Sequence, residues 1–66
     1  MKITDESSFA QIMAARRKEL RIPLRSLSES SGVPKSTLSL IERGEMAVSL
    51  NNAIKIANAL GIEMHI

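Results

Sequence analysis

Arg16, Arg17, Lys18, Arg21, Arg25, Lys35 and Arg43 crowd into residues 16–43, opposed there only by Glu19, Glu29 and Glu42. The flanks lean the other way, with Lys2 against Asp5 and Glu6 on one side and Lys55 against Glu45 and Glu63 on the other. A formal net charge of +2 therefore conceals a basic centre. Concentrated cations attract polyanions and bind them by ion pairing and counterion release; a merely solvated basic face is the plainer alternative. Catalysis has little to work with. His65 is the single histidine, cysteine is absent, and no nucleophile, base and acid form a set. The same inventory excludes disulfides and a Cys/His zinc site, so no metal and no cofactor are expected.

The elements that must position these cations have few residues to work with. Sixty-six residues make one domain over 1–66, too small for a nucleotide-binding fold, a barrel or a deep substrate cleft. Its core must be aliphatic, because Phe9 is the only aromatic residue. A chain of this length buries only about 60% of its unfolded surface, which makes help from a second copy worth seeking. No apolar run approaches the roughly 18 residues of a membrane span, and the N-terminus lacks the apolar stretch of a signal peptide. No membrane role is expected, and a cytoplasmic location is the simplest reading.

Helical spacing dominates the chain. Phe9, Ile12, Met13, Arg16, Arg17 and Leu20 predict a helix over about 8–20, capped by Ser7 or Ser8. Its apolar members face the core and leave Arg16 and Lys18 largely in water, while Arg17 lies at the core edge and needs a partner. Pro23 interrupts that helix and permits a second from Leu24 to Ser31, anchored by Leu24 and Leu27 and ended by Gly32. Pro34 begins a third that runs to Glu42 and stops before Gly44, with Leu38 and Ile41 on one face. A fourth follows Ser49 over about 50–60 with Leu50, Ala53, Ile54, Ala57 and Leu60 at helical spacing. After Gly61 the period shortens: Ile62, Met64 and Ile66 alternate with Glu63 and His65, as in a half-buried strand. A lone strand leaves its backbone groups unpaired. Residues 2–4 or the same strand of a second copy would have to supply the partner.

Two short helices joined by a tight glycine-containing turn match the helix-turn-helix arrangement by length alone. A B-form major groove admits one helix, and the preceding helix braces it against the phosphates. Over residues 24–44 the sequence LRSLSESSGVPKSTLSLIERG resembles the Cro and phage-repressor-like (XRE-type) helix-turn-helix family. The likeness spans about residues 9–62, carried by Ser-Gly-Val at 31–33, Ser-Thr-Leu-Ser at 36–39, Ile-Glu-Arg-Gly at 41–44 and Ala-Leu-Gly at 59–61. It implies an all-α, lambda-repressor-like bundle of four or five short helices whose third helix enters the major groove of double-stranded DNA.

Carried over residue by residue, the resemblance assigns base-edge contacts to Lys35, Ser36 and Leu40, with Ser39 and Arg43 near the groove or its walls. Lys35 suits guanine acceptors, Ser36 can donate or accept, and Leu40 suits a thymine methyl, although it could instead close the core edge. Thr37 and the first amides of the third helix are candidates for phosphate contact, joined by Arg16, Arg21, Arg25 and Arg43. Arg25 is the strongest of these basic choices. The resemblance also pairs Arg17 with Glu42 as a structural ion pair. Three positions depart from the pattern. Leu24 stands where the family usually has a phosphate-binding glutamine, and Pro23 and Pro34 stand where it usually has capping hydroxyls.

The ending IEMHI resembles the antitoxin-like branch of that family, in which a C-terminal strand pairs across a dimer. Ile62, Met64 and Ile66 are accordingly expected at a homodimer interface formed by a strand at 62–66. The expected function is a sequence-specific regulator of transcription, a dimeric repressor on a palindromic operator. Two alternatives stand beside it: an antitoxin that binds a toxin protein and autoregulates, and a protein-interaction module with weakened DNA contacts.

Overall fold

Pro23 and Pro34 punctuate the chain, and the computed structural model, which describes the backbone of residues 6–62 and the side chains of 9–62, places helices on either side of each. They are α1 (Glu6–Glu19), α2 (Leu24–Ser31), α3 (Lys35–Glu42) and α4 (Leu50–Leu60). Over the described residues the result is an all-α bundle of four helices, α2 and α3 forming a helix-turn-helix. Among the described residues there is no strand. The expected pairing through Met64 and Ile66 lies outside them.

The start of α1 is corrected. Its helical backbone begins at Glu6 and takes in Ser7 and Ser8, whereas a serine caps only where its own backbone is still non-helical. Pro34 does not begin α3 but precedes it, extended at φ −55° and ψ 142°, as Pro23 precedes α2 at φ −76° and ψ 164°. Each proline contributes its carbonyl, which accepts from Leu27 N–H at 3.2 Å and from Leu38 N–H at 3.0 Å. The ring fixes φ near the value a helix needs and removes a donor that would otherwise go unpaired.

Helix ends are closed by a repeated device. At α4 the Gly61 N–H donates to Asn58 O at 3.3 Å and the Ile62 N–H reaches back to Ala57 O at 2.8 Å. At α3 the corresponding bonds run from Gly44 N–H to Ile41 O and from Glu45 N–H to Leu40 O. Both are Schellman closures, which satisfy two carbonyls that the helix itself leaves orphaned. Ile62 thus completes the cap of α4 and packs on the core.

Phe9 and Met13 of α1, Leu27 of α2, Val33 of the turn, Leu38 and Ile41 of α3, and Ala53, Ile56 and Leu60 of α4 form one buried cluster. Helix α4 packs on α1 and α2, and α3 packs on the same two helices. The stripe of α4 differs from the one its spacing predicts: Ala53, Ile56, Ala57 and Leu60 are buried, while Leu50 is 57% and Ile54 41% exposed. Both stripes have helical spacing, and only the direction of approach of α1 and α2 selects between them. Leu20, also expected inside, is 41% exposed because α1 has already ended at Glu19.

Candidate nucleic-acid interface

The angle between α2 and α3 is set at Ser31–Pro34. Gly32 takes the left-handed conformation at φ 78°, and its N–H donates to Ser28 O at 2.9 Å. Two hydroxyls then close the turn. Ser31 Oγ donates to Leu27 O at 2.7 Å and accepts from Val33 N–H at 3.2 Å, and Ser28 Oγ donates to Val33 O at 2.7 Å. With Val33 buried in one cluster with Leu27, Leu38 and Ile41, the N–H groups of Gly32 and Val33 and the Val33 carbonyl are paired, which restrains the angle between α2 and α3. Sequence reasoning used Ser31-Gly32-Val33 as a signature but gave neither serine a role. The readable signal was a hydroxyl residue one position, and another four positions, ahead of a helix-ending glycine.

On α3 the burial of Leu38 and Ile41 turns Lys35, Ser36, Ser39, Leu40 and Arg43 to the other side. Lys35, Ser36 and Arg43 are exposed, and Thr37, Ser39 and Leu40 are half-buried. Leu40 is half-buried and is not among the described residues of the buried cluster. Leu24 does pack against that cluster, so the residue standing at the phosphate-binding glutamine position serves the core instead.

The beginnings of α2 and α3 share a property that α4 lacks. Neither Pro23 nor Pro34 offers a side-chain cap, whereas Ser49 Oγ accepts from Asn52 N–H at 3.1 Å at the start of α4. The first amides of both helix-turn-helix elements therefore keep their donors unpaired by a cap, at the end of the helix where the dipole is positive. No acidic residue occupies the first turn of either helix. Their first turns carry Arg25 and Lys35 instead, both exposed. Cations there are electrostatically unfavourable in isolation and become favourable beside an anion.

The basic centre separates into two groups. Arg16, Arg17 and Arg43 form ion pairs with Glu19, Glu42 and Glu45, at 2.8, 2.7 and 2.7 Å. Lys18, Arg21, Arg25 and Lys35 are exposed and take part in no ion pair among the described residues. Arg16, expected largely in water, is instead drawn onto α4: its Nε donates to Leu60 O at 3.0 Å while Nη1 holds Glu19. A cation at a helix C-terminus complements the negative end of the dipole, which explains the diversion. The Arg43–Glu45 pair lies in water, with side chains 59% and 56% exposed, and binds its arginine weakly.

Arg17 and Glu42 tie α1 to the end of α3. Arg17 Nε donates to Glu42 Oε2 at 2.7 Å, Nη2 to Glu42 Oε1 at 3.1 Å, and Nη1 to Ile22 O at 3.0 Å. The forked geometry spends the whole guanidinium on one carboxylate and one backbone carbonyl. The hydrogen bond to Glu42 raises the Arg17 pKa above its ordinary high value, against the smaller opposing effect of burial.

Among the described residues no three His, Cys, Asp or Glu side chains gather to hold a metal, and no helix is long and apolar enough to cross a membrane. Residues 13–66, well over half of the chain, match the helix-turn-helix family model. No curated protein and no solved structure matches the chain significantly.

Proposed function

The chain belongs to the helix-turn-helix family, whose members are non-catalytic DNA-binding domains, and from that premise we propose that it is a sequence-specific repressor of transcription acting as a dimer on a palindromic operator. One observation carries the reading. Helix α3 turns Lys35, Ser36, Ser39, Leu40 and Arg43 outward beside two helix starts that have neither a side-chain cap nor an acidic residue.

In this reading α3 lies in the major groove. Lys35 donates to guanine, Ser36 and Ser39 bond to base edges within reach, and Leu40 meets a thymine methyl. Arg21, Arg25, Thr37 and the first amides of α2 and α3 hold phosphates and set the register. Arg43 joins them by exchanging Glu45 for a phosphate. Arg16 drops out of the phosphate set because α4 already engages it.

Dimerisation is favoured by size. The described residues extend 26 Å at most, short of the roughly 34–36 Å between successive major-groove faces, so two half-sites would take two copies. Ile62 also lines an apolar groove of about 250 Å³ with Ile12, Ala15, Arg16 and Glu19, a surface that a second copy could cover.

Selection from a duplex library at several salt concentrations tests the reading, with sedimentation measured in parallel. Enrichment of a palindrome with half-sites one helical turn apart, binding that weakens steeply with salt, and a dimer mass at micromolar concentration are expected. An absence of enrichment and of salt-sensitive binding refutes the regulator, and a strictly monomeric mass refutes the dimer. A second reading, in which the domain also binds a toxin or another protein, is favoured by Met46, Leu50 and Ile54, apolar residues left exposed near the start of α4.

A further inference from the structure

Beside the stripe that joins it to the core, α1 carries a second one. Ile12, Ala15, Arg16 and Glu19 follow at helical spacing, and with Ile62 they line an open apolar groove of about 250 Å³. Ile12 is half-buried and Ala15 exposed, so an aliphatic surface here meets water. The two charged side chains of the groove are spent on each other and on α4. Arg16 donates from Nε to Leu60 O at 3.0 Å and from Nη1 to Glu19 at 2.8 Å, so what it adds to the groove is its aliphatic stem. The chemistry fits an apolar occupant and not an ion.

The chain itself leads into this groove. Gly61, at φ 69°, turns the backbone off the end of α4, and the Ile62 N–H is fixed on Ala57 O at 2.8 Å. Arg16, bonded to Leu60 O, holds that same helix end against α1. The wall made by Ile62 is thus built into the helix cap, and the next four residues, 63–66, which lie outside the described ones, start from it. Extended, four residues span about 13 Å, while α1 rises about 10 Å from Ile12 to Glu19. Met64 and Ile66 share the parity of Ile62, so a strand laid along α1 presents all three to it and turns Glu63 and His65 to water.

We propose that residues 63–66 fold back in cis and seat Met64 and Ile66 in the groove of their own subunit. An apolar cavity of roughly 150 Å³ holds a benzene, so a groove of about 250 Å³ has room for two aliphatic side chains. The tether decides between this occupant and the same segment of a second copy. Met64 follows the groove wall by two residues, within about 7 Å, and so short a link gives an effective concentration of about millimolar or more. The edge of the seated strand stays free. The inference therefore does not rest on the dimer reading but refines it, since a second copy would meet the seated segment and not the bare groove.

Two measurements on the full chain test the proposal. The sequence has no cysteine, so A15C/M64C carries a unique thiol pair; N58C/M64C is the control, because Asn58 is exposed one turn before Ile62 and outside the groove. A15C/M64C should oxidise to an internal disulfide of monomer mass about tenfold faster than the control, or more. M64S should melt lower by on the order of 5 °C at every protein concentration, and H65S within about 1 °C of the parent. Equal oxidation rates overturn the proposal, as does an M64S that melts like the parent. A disulfide formed chiefly between chains, or an M64S loss that vanishes on dilution, also overturns it and gives the groove to the second copy.

Discussion

Arg17 and Glu42, 25 residues apart in sequence, meet in a forked ion pair at 2.7 and 3.1 Å with side chains only 16% and 12% exposed. The pair joins the helix that opens the domain to the last turn of the helix that faces outward. Because Arg17 also bonds Ile22 O, one guanidinium fixes α1, the α1–α2 turn and α3 together.

Removing one member strands the other. R17A or E42A should lower stability by about 2–4 kcal/mol, enough to leave a domain of this size partly unfolded, because a charge is left with its partner gone. Changing both to apolar residues should cost less than the two single changes summed, giving a coupling of about 1–3 kcal/mol in a double-mutant cycle read by urea denaturation. R17K should recover little, since an ammonium cannot span both carboxylate oxygens and Ile22 O. The raised pKa of Arg17 stabilises the fold at every pH below the unfolded arginine's value and is lost only as pH climbs through the still higher folded value. Between about pH 5 and 9, Arg17 should therefore add no pH dependence to the melting temperature.

The serines of the turn are a second target. S31A removes the donor to Leu27 O and the acceptor of Val33 N–H, and should cost about 1–2 kcal/mol. DNA binding should fall by more than that loss explains in samples still fully folded, because the orientation of α3 loosens. S30A is the control: its hydroxyl bonds Ser26 O on an exposed surface, and stability should change by less than about 0.5 kcal/mol.

Two isoleucines on α4 should behave oppositely. I56A opens a cavity at a fully buried site and should destabilise by about 2–4 kcal/mol, whereas I54A, at a site 41% exposed, should cost less than about 1 kcal/mol. Chemical denaturation at low protein concentration reads both without a contribution from self-association.

Glu45 competes with DNA for Arg43. E45A should strengthen duplex binding several-fold at low salt by freeing the arginine and removing a negative charge, and R43A should weaken it. An R43A affinity and salt slope equal to the parent's would show that Arg43 does not reach the phosphates.

Much of the architecture was legible because it depends on neighbours in the chain. Proline has no N–H and restricts the residue before it, so Pro23 and Pro34 mark helix starts wherever they fall, and Leu38 with Ile41 marks one face of α3 by spacing alone. A glycine after a run of helical spacing marks an end, as at Gly32, Gly44 and Gly61. Helix starts shifted by a residue or two, at α1 and at Pro34, and the larger differences concern distant contacts or choices between equivalent patterns. Ile54 and Ile56 each fit an apolar stripe, and only the packing of α1 and α2 on α4 buries one and exposes the other.

Composition and local order alone settled an aliphatic helical domain with a basic centre and two short helices around a glycine turn, since charge, propensity and periodicity are properties of neighbouring residues. The allocation of that charge belonged to tertiary structure. Arg16 and Arg17 are adjacent and chemically identical, yet one bonds the carbonyl of Leu60 and the other the carboxylate of Glu42, and Arg21, four residues on, is left in solvent on a strained backbone. A cation's partner depends on which helix end or carboxylate the fold brings within about 3 Å, a distance that no spacing along the chain encodes.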